Sequence, residues 1–112
     1  PHENYYHGFL NGLFSNCKDI ISDYHSNYES GDGYADITFK SRRNTIAVVI
    51  EIKAVAKEED LDEYAQRALD QIEEKNYCAP FFKISRVKNI LAFGIAFSGK
   101  DCAVVLNKIS LR

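Results

Sequence analysis

The chain has no run of about 18 apolar residues, so nothing in it reads as a membrane-spanning helix. No charged segment leads into an apolar stretch at its start, so no secretory signal is visible. It has no Cys-x-x-Cys and no Cys/His spacing of zinc type. Cys17, Cys78 and Cys102 are an odd number at unrelated spacings and read as free thiols of a reducing, cytoplasmic setting. Nor is there an excess of basic charge. A formal net charge of −2 argues against a protein that coats nucleic acid through bulk charge. It leaves room for an enzyme with a local basic rim around an acidic site. The chain has no methionine and opens on Pro1. We therefore expect one domain over residues 1–112, excised from a longer chain with a neighbour upstream. Repeats, linkers and low-complexity segments are absent too.

What is present is an ordinary apolar fraction, 46%, with seven Tyr and seven Phe to fill a core. Tyr6, Phe9, Leu10, Leu13 and Phe14 recur at helical spacing and predict a helix from about Glu3 to Asn16. Gly8 and Gly12, four apart in it, weaken the helix but let something pack close. A strand over Tyr24–Glu29 leads to the turn Ser30-Gly31-Asp32-Gly33 and a second strand over Tyr34–Lys40. Ser41-Arg42-Arg43-Asn44 is a hairpin turn before a third strand, Thr45–Lys53. Glu58-Glu59-Asp60 suits the start of a helix running to about Lys75. Cys78–Lys88 reads as a basic loop carrying an exposed Phe81-Phe82 pair, a place for an apolar dimer contact. Asn89–Phe97 is almost continuously apolar, as in a strand buried on both faces, and Cys102–Leu106 is a final strand. The order is α-β-β-β-α-β-β. The long helical crossover makes the third and fourth strands parallel. The fold class is α/β (α+β): a mixed sheet of about five strands flanked by helices.

The third strand is apolar but carries Glu51 and Lys53 on one face. A hairpin centred on Arg43-Asn44 sets Asp36 opposite Glu51; centred one residue earlier, it sets Asp36 opposite Val49 and diagonal to Glu51. Either register brings Asp36, Glu51 and Lys53 to one face, about 5–8 Å apart. Two carboxylates so close repel unless a cation lies between them. Anionic oxygens suit a hard cation, Mg2+ or Mn2+, with the backbone carbonyl of Ile52 as a third ligand. Such a site, with a lysine beside it, suits phosphodiester hydrolysis.

These residues carry a resemblance. Gly31-x-Gly33-x-x-Asp36 followed by Ile50-Glu51-Ile52-Lys53 resembles the PD-(D/E)XK nuclease superfamily, the restriction-endonuclease-like fold. It is similar in particular to the nuclease-like domain that follows an AAA-ATPase-like domain in many bacterial and archaeal proteins. Further matches are Glu3 with His7-Gly8, Ser26-Asn27-x-Glu29-Ser30, Ala68-Leu69-x-Gln71-Ile72-x-x-Lys75-x-Tyr77 and Gly94-Ile95-Ala96-Phe97. The resemblance implies catalytic roles for Asp36, Glu51, Lys53 and Glu3, with Asp36, Glu51 and the Ile52 carbonyl on the metal. It places Gln71 and Tyr77 near the substrate. Lys75 and His7, each on a helix face beside these motifs, are added as substrate-side candidates. Tyr34 stands where the family often has Arg, and Lys75 where related nucleases have Tyr.

The expected function is a divalent-metal-dependent nuclease acting on DNA in preference to RNA, with Arg42 and Arg43 among the phosphate contacts. An upstream ATPase-like domain and a homodimer are compatible partners. Two other readings stand beside this one. One is a catalytically degenerate nuclease-fold module that binds nucleic acid or docks a partner ATPase domain. The other is a structural domain in which Asp36, Glu51 and Lys53 form an internal ion network.

Overall fold

The computed structural model describes residues 3–111. Its elements are α1 (Glu3–Phe14), β1 (Ile21–Ser30), β2 (Gly33–Ser41), β3 (Ile46–Ala54), α2 (Leu61–Glu74), α3 (Ala79–Phe82), β4 (Asn89–Ser98) and β5 (Asp101–Ser110). The five strands form one sheet in sequence order, antiparallel throughout except for the parallel pair β3–β4. This is the expected mixed α+β architecture, with the crossover made by α2.

Each helix has a local cause. Asp60 caps α2 by accepting from the amides of Asp62 and Glu63 at 3.0 and 3.4 Å. Its apolar stripe, Ala65, Ala68 and Ile72, is buried on the sheet. Pro80 starts the short helix α3 where a loop is expected from sequence. Phe81 is buried there, so of the Phe81-Phe82 pair Phe82 alone is exposed.

The core lies on both sides of the sheet. On one, Ala47, Val49, Ile90 and Ala92 meet Ile72 of α2 together with Tyr77 and Phe81. On the other, Ile37, Phe39, Val48, Ile50 and Ile52 meet Tyr6 and Leu10 of α1. Two strands run further than the sequence pattern suggests, β1 from Ile21 and β5 to Ser110. Backbone pairing carries them outward, Ile21 with Ser41 and Ser110 with Asn89, and Ile109 packs on the core. The strand expected to be buried on both faces, β4, is fully closed on one face and half-covered on the other. Ile90, Ala92, Gly94 and Ala96 are buried, whereas Leu91, Phe93, Ile95 and Phe97 between them are half-buried.

Candidate active site

Gly94 fixes how close α2 comes to the sheet. A Cβ there would lie 2.1 Å from the Ala65 carbonyl oxygen and 2.6 Å from the Leu69 amide nitrogen. With no side chain in the way, α2 settles onto β4 beside Glu51, which pairs with Gly94 across the parallel ladder. That approach brings Gln71 within reach of the carboxylate.

At the far end of β2–β3 the ladder opens. The pairs Lys40–Ala47, Phe39–Val48, Thr38–Val49 and Ile37–Ile50 follow the register of a turn centred on Arg43-Asn44, and then they stop. The next partner for Ile52 in that register would be Ala35. Instead the Ile52 amide donates to Asp36 Oδ2 at 2.8 Å. The Asp36 amide donates to Glu51 Oε1 at 3.3 Å. The alternation of side chains breaks at the same point: Ala35 and Ile37 are two apart yet belong to opposite core clusters. Asn27, beside this break on β1, has φ of 55°. A side chain has taken the place of a backbone partner, and two carboxylates converge in the gap.

Glu51 is 5% exposed. Its other oxygen, Oε2, accepts from Gln71 Nε2 at 2.7 Å. The amide of Gln71 faces the other way onto Lys53, whose ammonium donates to Gln71 Oε1 at 2.7 Å. Gln71 is therefore a neutral bridge that holds the lysine off the glutamate. Among the described residues neither Asp36 nor Glu51 has a cationic side chain within ion-pair distance. Burial, and then the Asp36 charge, push the Glu51 carboxyl up to about 8. The two acids and the lysine thus share the site, but the lysine does not neutralise the acids directly.

Tyr77 is buried and accepts a weak third contact from Gln71 Nε2 at 3.4 Å. Its burial holds the phenol above its ordinary value. The glycine turn clamps this part of the chain. The Asp32 amide donates to the Lys75 carbonyl at 2.8 Å, and Asn76 Nδ2 donates to Asp32 Oδ2 at 2.8 Å. Buried Ser30 donates to the Tyr77 carbonyl at 2.7 Å. Gly31 has φ of +60°, and a Cβ on it would lie 2.0 Å from the Asn76 carbonyl oxygen. The turn therefore docks onto the end of α2, and Lys75 takes part through its backbone.

The remaining predicted residues lie elsewhere. Glu3 is exposed in the first turn of α1 and has no ion pair or side-chain hydrogen bond among the described residues. His7 is tied by Nε2 to Ser26 Oγ at 2.7 Å, one strand beyond β2. Arg42 and Arg43 lie at the opposite end of β3, on the order of 20 Å along the strand from Glu51. There Arg42 donates to the Lys18 carbonyl, and Arg86 to the Arg43 carbonyl. The structure brings together Asp36, Glu51, Lys53, Gln71 and Tyr77 but not Arg42 or Arg43. The roles of Gly94, Ser30 and Asn76 go unread in the sequence, although a lone Gly inside an apolar strand does signal close approach by a neighbour.

A family model described as PD-(D/E)XK nuclease superfamily matches residues 1–106. The chain belongs to that superfamily. The match spans both sides of the sheet and includes the open β2–β3 end, Gln71 and the turn clamped onto the end of α2. Searches of curated proteins and of solved structures give no match.

The donor set can be tested against the cation such a site would take. It is all oxygen, which fits Mg2+ or Mn2+. In a strand the N–H and C=O of one residue point to the same side. The Ile52 amide points at Asp36, so its carbonyl is directed into the same gap beyond the last β2–β3 pair. Two carboxylates and a carbonyl fit an ion that keeps much of its water. No group of three or more His, Cys, Asp or Glu placed to hold a metal ion occurs among the described residues.

Proposed function

We propose that this chain is a divalent-metal-dependent nuclease domain that hydrolyses phosphodiester bonds of DNA. The observation that carries the reading is the pairing of buried Glu51 with half-buried Asp36, converging where the β2–β3 ladder opens, with no cationic side chain in ion-pair contact among the described residues. Leaving one buried carboxylate uncompensated beside another costs several kcal/mol. A cation supplied from outside offsets that cost.

Asp36, Glu51 and the Ile52 carbonyl would hold the ion. A bound divalent cation supplies positive charge against the phosphate and lowers the cost of ionising water. Lys53 lies two residues after Glu51 on the same face, its ammonium held by Gln71. It is placed to hold a phosphate oxygen or the attacking water. Gln71 keeps the ammonium from collapsing onto Glu51, which leaves both charges available to ligand and substrate. Tyr77 and the clamped turn fix the end of α2 that carries Gln71. Glu3 and His7, on the side of the sheet bearing α1, are assigned supporting roles at most.

The test is cleavage of mixed single- and double-stranded DNA with Mn2+, wild type beside Lys53→Ala. The expected result is cleavage by wild type only. Metal-dependent thermal stabilisation should persist in Lys53→Ala and disappear in Asp36→Ala and Glu51→Ala. A second reading has its own observation, the lack of a third acid with these two among the described residues. It is a catalytically silent module that binds nucleic acid or docks an ATPase domain. It predicts no cleavage by either protein and indifference of partner binding to Lys53→Ala.

A further inference from the structure

β4 is apolar from Ile90 to Phe97, a composition suited to burial on both faces, yet α2 closes one face only. On the other face Val104 and Leu106 of β5 pair with Ile95 and Phe93, and they are 52% and 54% exposed. α1 packs against β3 and reaches β4 through Tyr6, which stacks on Phe97; it half-covers Phe93 and Ile95 and leaves Val104 and Leu106 of β5 exposed. α1 itself turns a second apolar stripe outward. Tyr5, Phe9 and Leu13, at four-residue spacing, are all more than half exposed, and their helical positions run along the flank away from the His7–Ser26 contact. Between them Gly8 and Gly12 present bare backbone: a Cβ at either would meet nothing within 4 Å. Two glycines inside one helix weaken it, and no described residue uses the space they leave.

We propose that this surface is the interface of a two-fold homodimer, α1 of each copy lying over the open β4–β5 face of the other. The surface carries both halves of such a contact. The glycine side of α1 is a low ridge, and the β4–β5 face is the floor that a ridge needs. A two-fold axis sets each ridge on the other copy's floor, the self-complementary arrangement of an isologous dimer. Charge permits it. No Asp, Glu, Lys or Arg lies on either stripe until Lys108 at the margin, so like charges do not meet across the axis. Size supports it as well. The five most exposed side chains alone offer on the order of 500 Å² of apolar surface. Counted on both partners this is about 1,000 Å², the lower bound for a specific interface. The surface is on the side of the sheet away from α2 and Gln71, so the proposal does not depend on the chemistry assigned to Asp36 and Glu51.

Light scattering coupled to size-exclusion chromatography at micromolar concentration tests this. The expected mass is twice that of one 12.7 kDa chain. Gly12→Arg has room in the folded monomer and should keep the wild-type circular dichroism while halving the mass. Leu106→Lys, on the floor, should do the same. Phe82→Asp, exposed elsewhere on the molecule, should leave the dimer intact. A wild type at the mass of one chain overturns the proposal, whatever else covers the surface. So does a dimer that survives both Gly12→Arg and Leu106→Lys, or one lost in Phe82→Asp.

Discussion

Glu51 makes the metal-free protein less stable as pH rises. Its carboxyl titrates at about 8 in the fold against an ordinary 4.5, because it is buried and sits beside Asp36. Between those values the native state binds a proton that the unfolded chain has lost, so stability falls with increasing pH across the window. At 1.36 kcal/mol per pH unit the full excursion is on the order of 3–5 kcal/mol, complete below about pH 4.5 and gone above about pH 8. The charged groups facing Glu51 are Asp36 and, through Gln71, Lys53. Glu51→Gln removes the titration but keeps the size, so its stability should be nearly flat across the window. It should match wild type near pH 5 and exceed it by a few kcal/mol at pH 8. Urea unfolding of both proteins between pH 5 and 8.5 in EDTA measures the difference, and histidines common to both cancel. Mn2+ competes with that proton, so stabilisation by the metal should grow as pH rises through the same range. A wild type with flat stability, or a Glu51→Gln slope equal to that of wild type, would refute the reasoning.

Three further outcomes are expected from unfolding measurements. Gly94→Ala forces a Cβ onto the Ala65 carbonyl and the Leu69 amide, and should cost 3 kcal/mol or more, roughly, with loss of metal-dependent stabilisation as α2 is pushed from the sheet. Ser30→Ala removes the buried donor to the Tyr77 carbonyl and should cost about 1–3 kcal/mol. Thr38→Val should do the reverse: Thr38 Oγ1 is buried with no hydrogen-bond partner among the described residues, and replacing it should raise stability by about 1 kcal/mol, near 4 °C in Tm.

The sequence carries much of this fold because its signals are local. The helical stripe of α1, the acidic start of α2 and the turn at Arg43-Asn44 each specify an element from neighbouring residues. That turn also selects the register that aims Asp36 at Glu51. Contacts between distant segments are harder to read. That the Gly31-Asp32-Gly33 turn binds the end of α2 depends on Lys75 and Asn76, more than forty residues away. That Gln71 separates Lys53 from Glu51 depends on how deeply α2 settles, which Gly94 sets from β4. The basic residues Arg42 and Arg43 suggest phosphate contacts by type alone; the hairpin carries them to the wrong end of the sheet for direct contact with Asp36 and Glu51. The half-covered face of β4 is a different case. Its composition signals burial on both sides, and on the side away from α2 the described residues cover it only by half.

Because a carboxylate stands in for a backbone partner at the end of β2–β3, the Ile52 amide is a built-in reporter of the site. Its hydrogen-exchange rate follows the Asp36 oxygen, not the continuity of the sheet. A ligand that draws Asp36 away would speed exchange at that one position while its neighbours Ile50 and Val49 stay protected. One that fixes Asp36 would slow it. The binding of an ion or a substrate can then be followed at a single backbone proton, in a protein that has no tryptophan to report it.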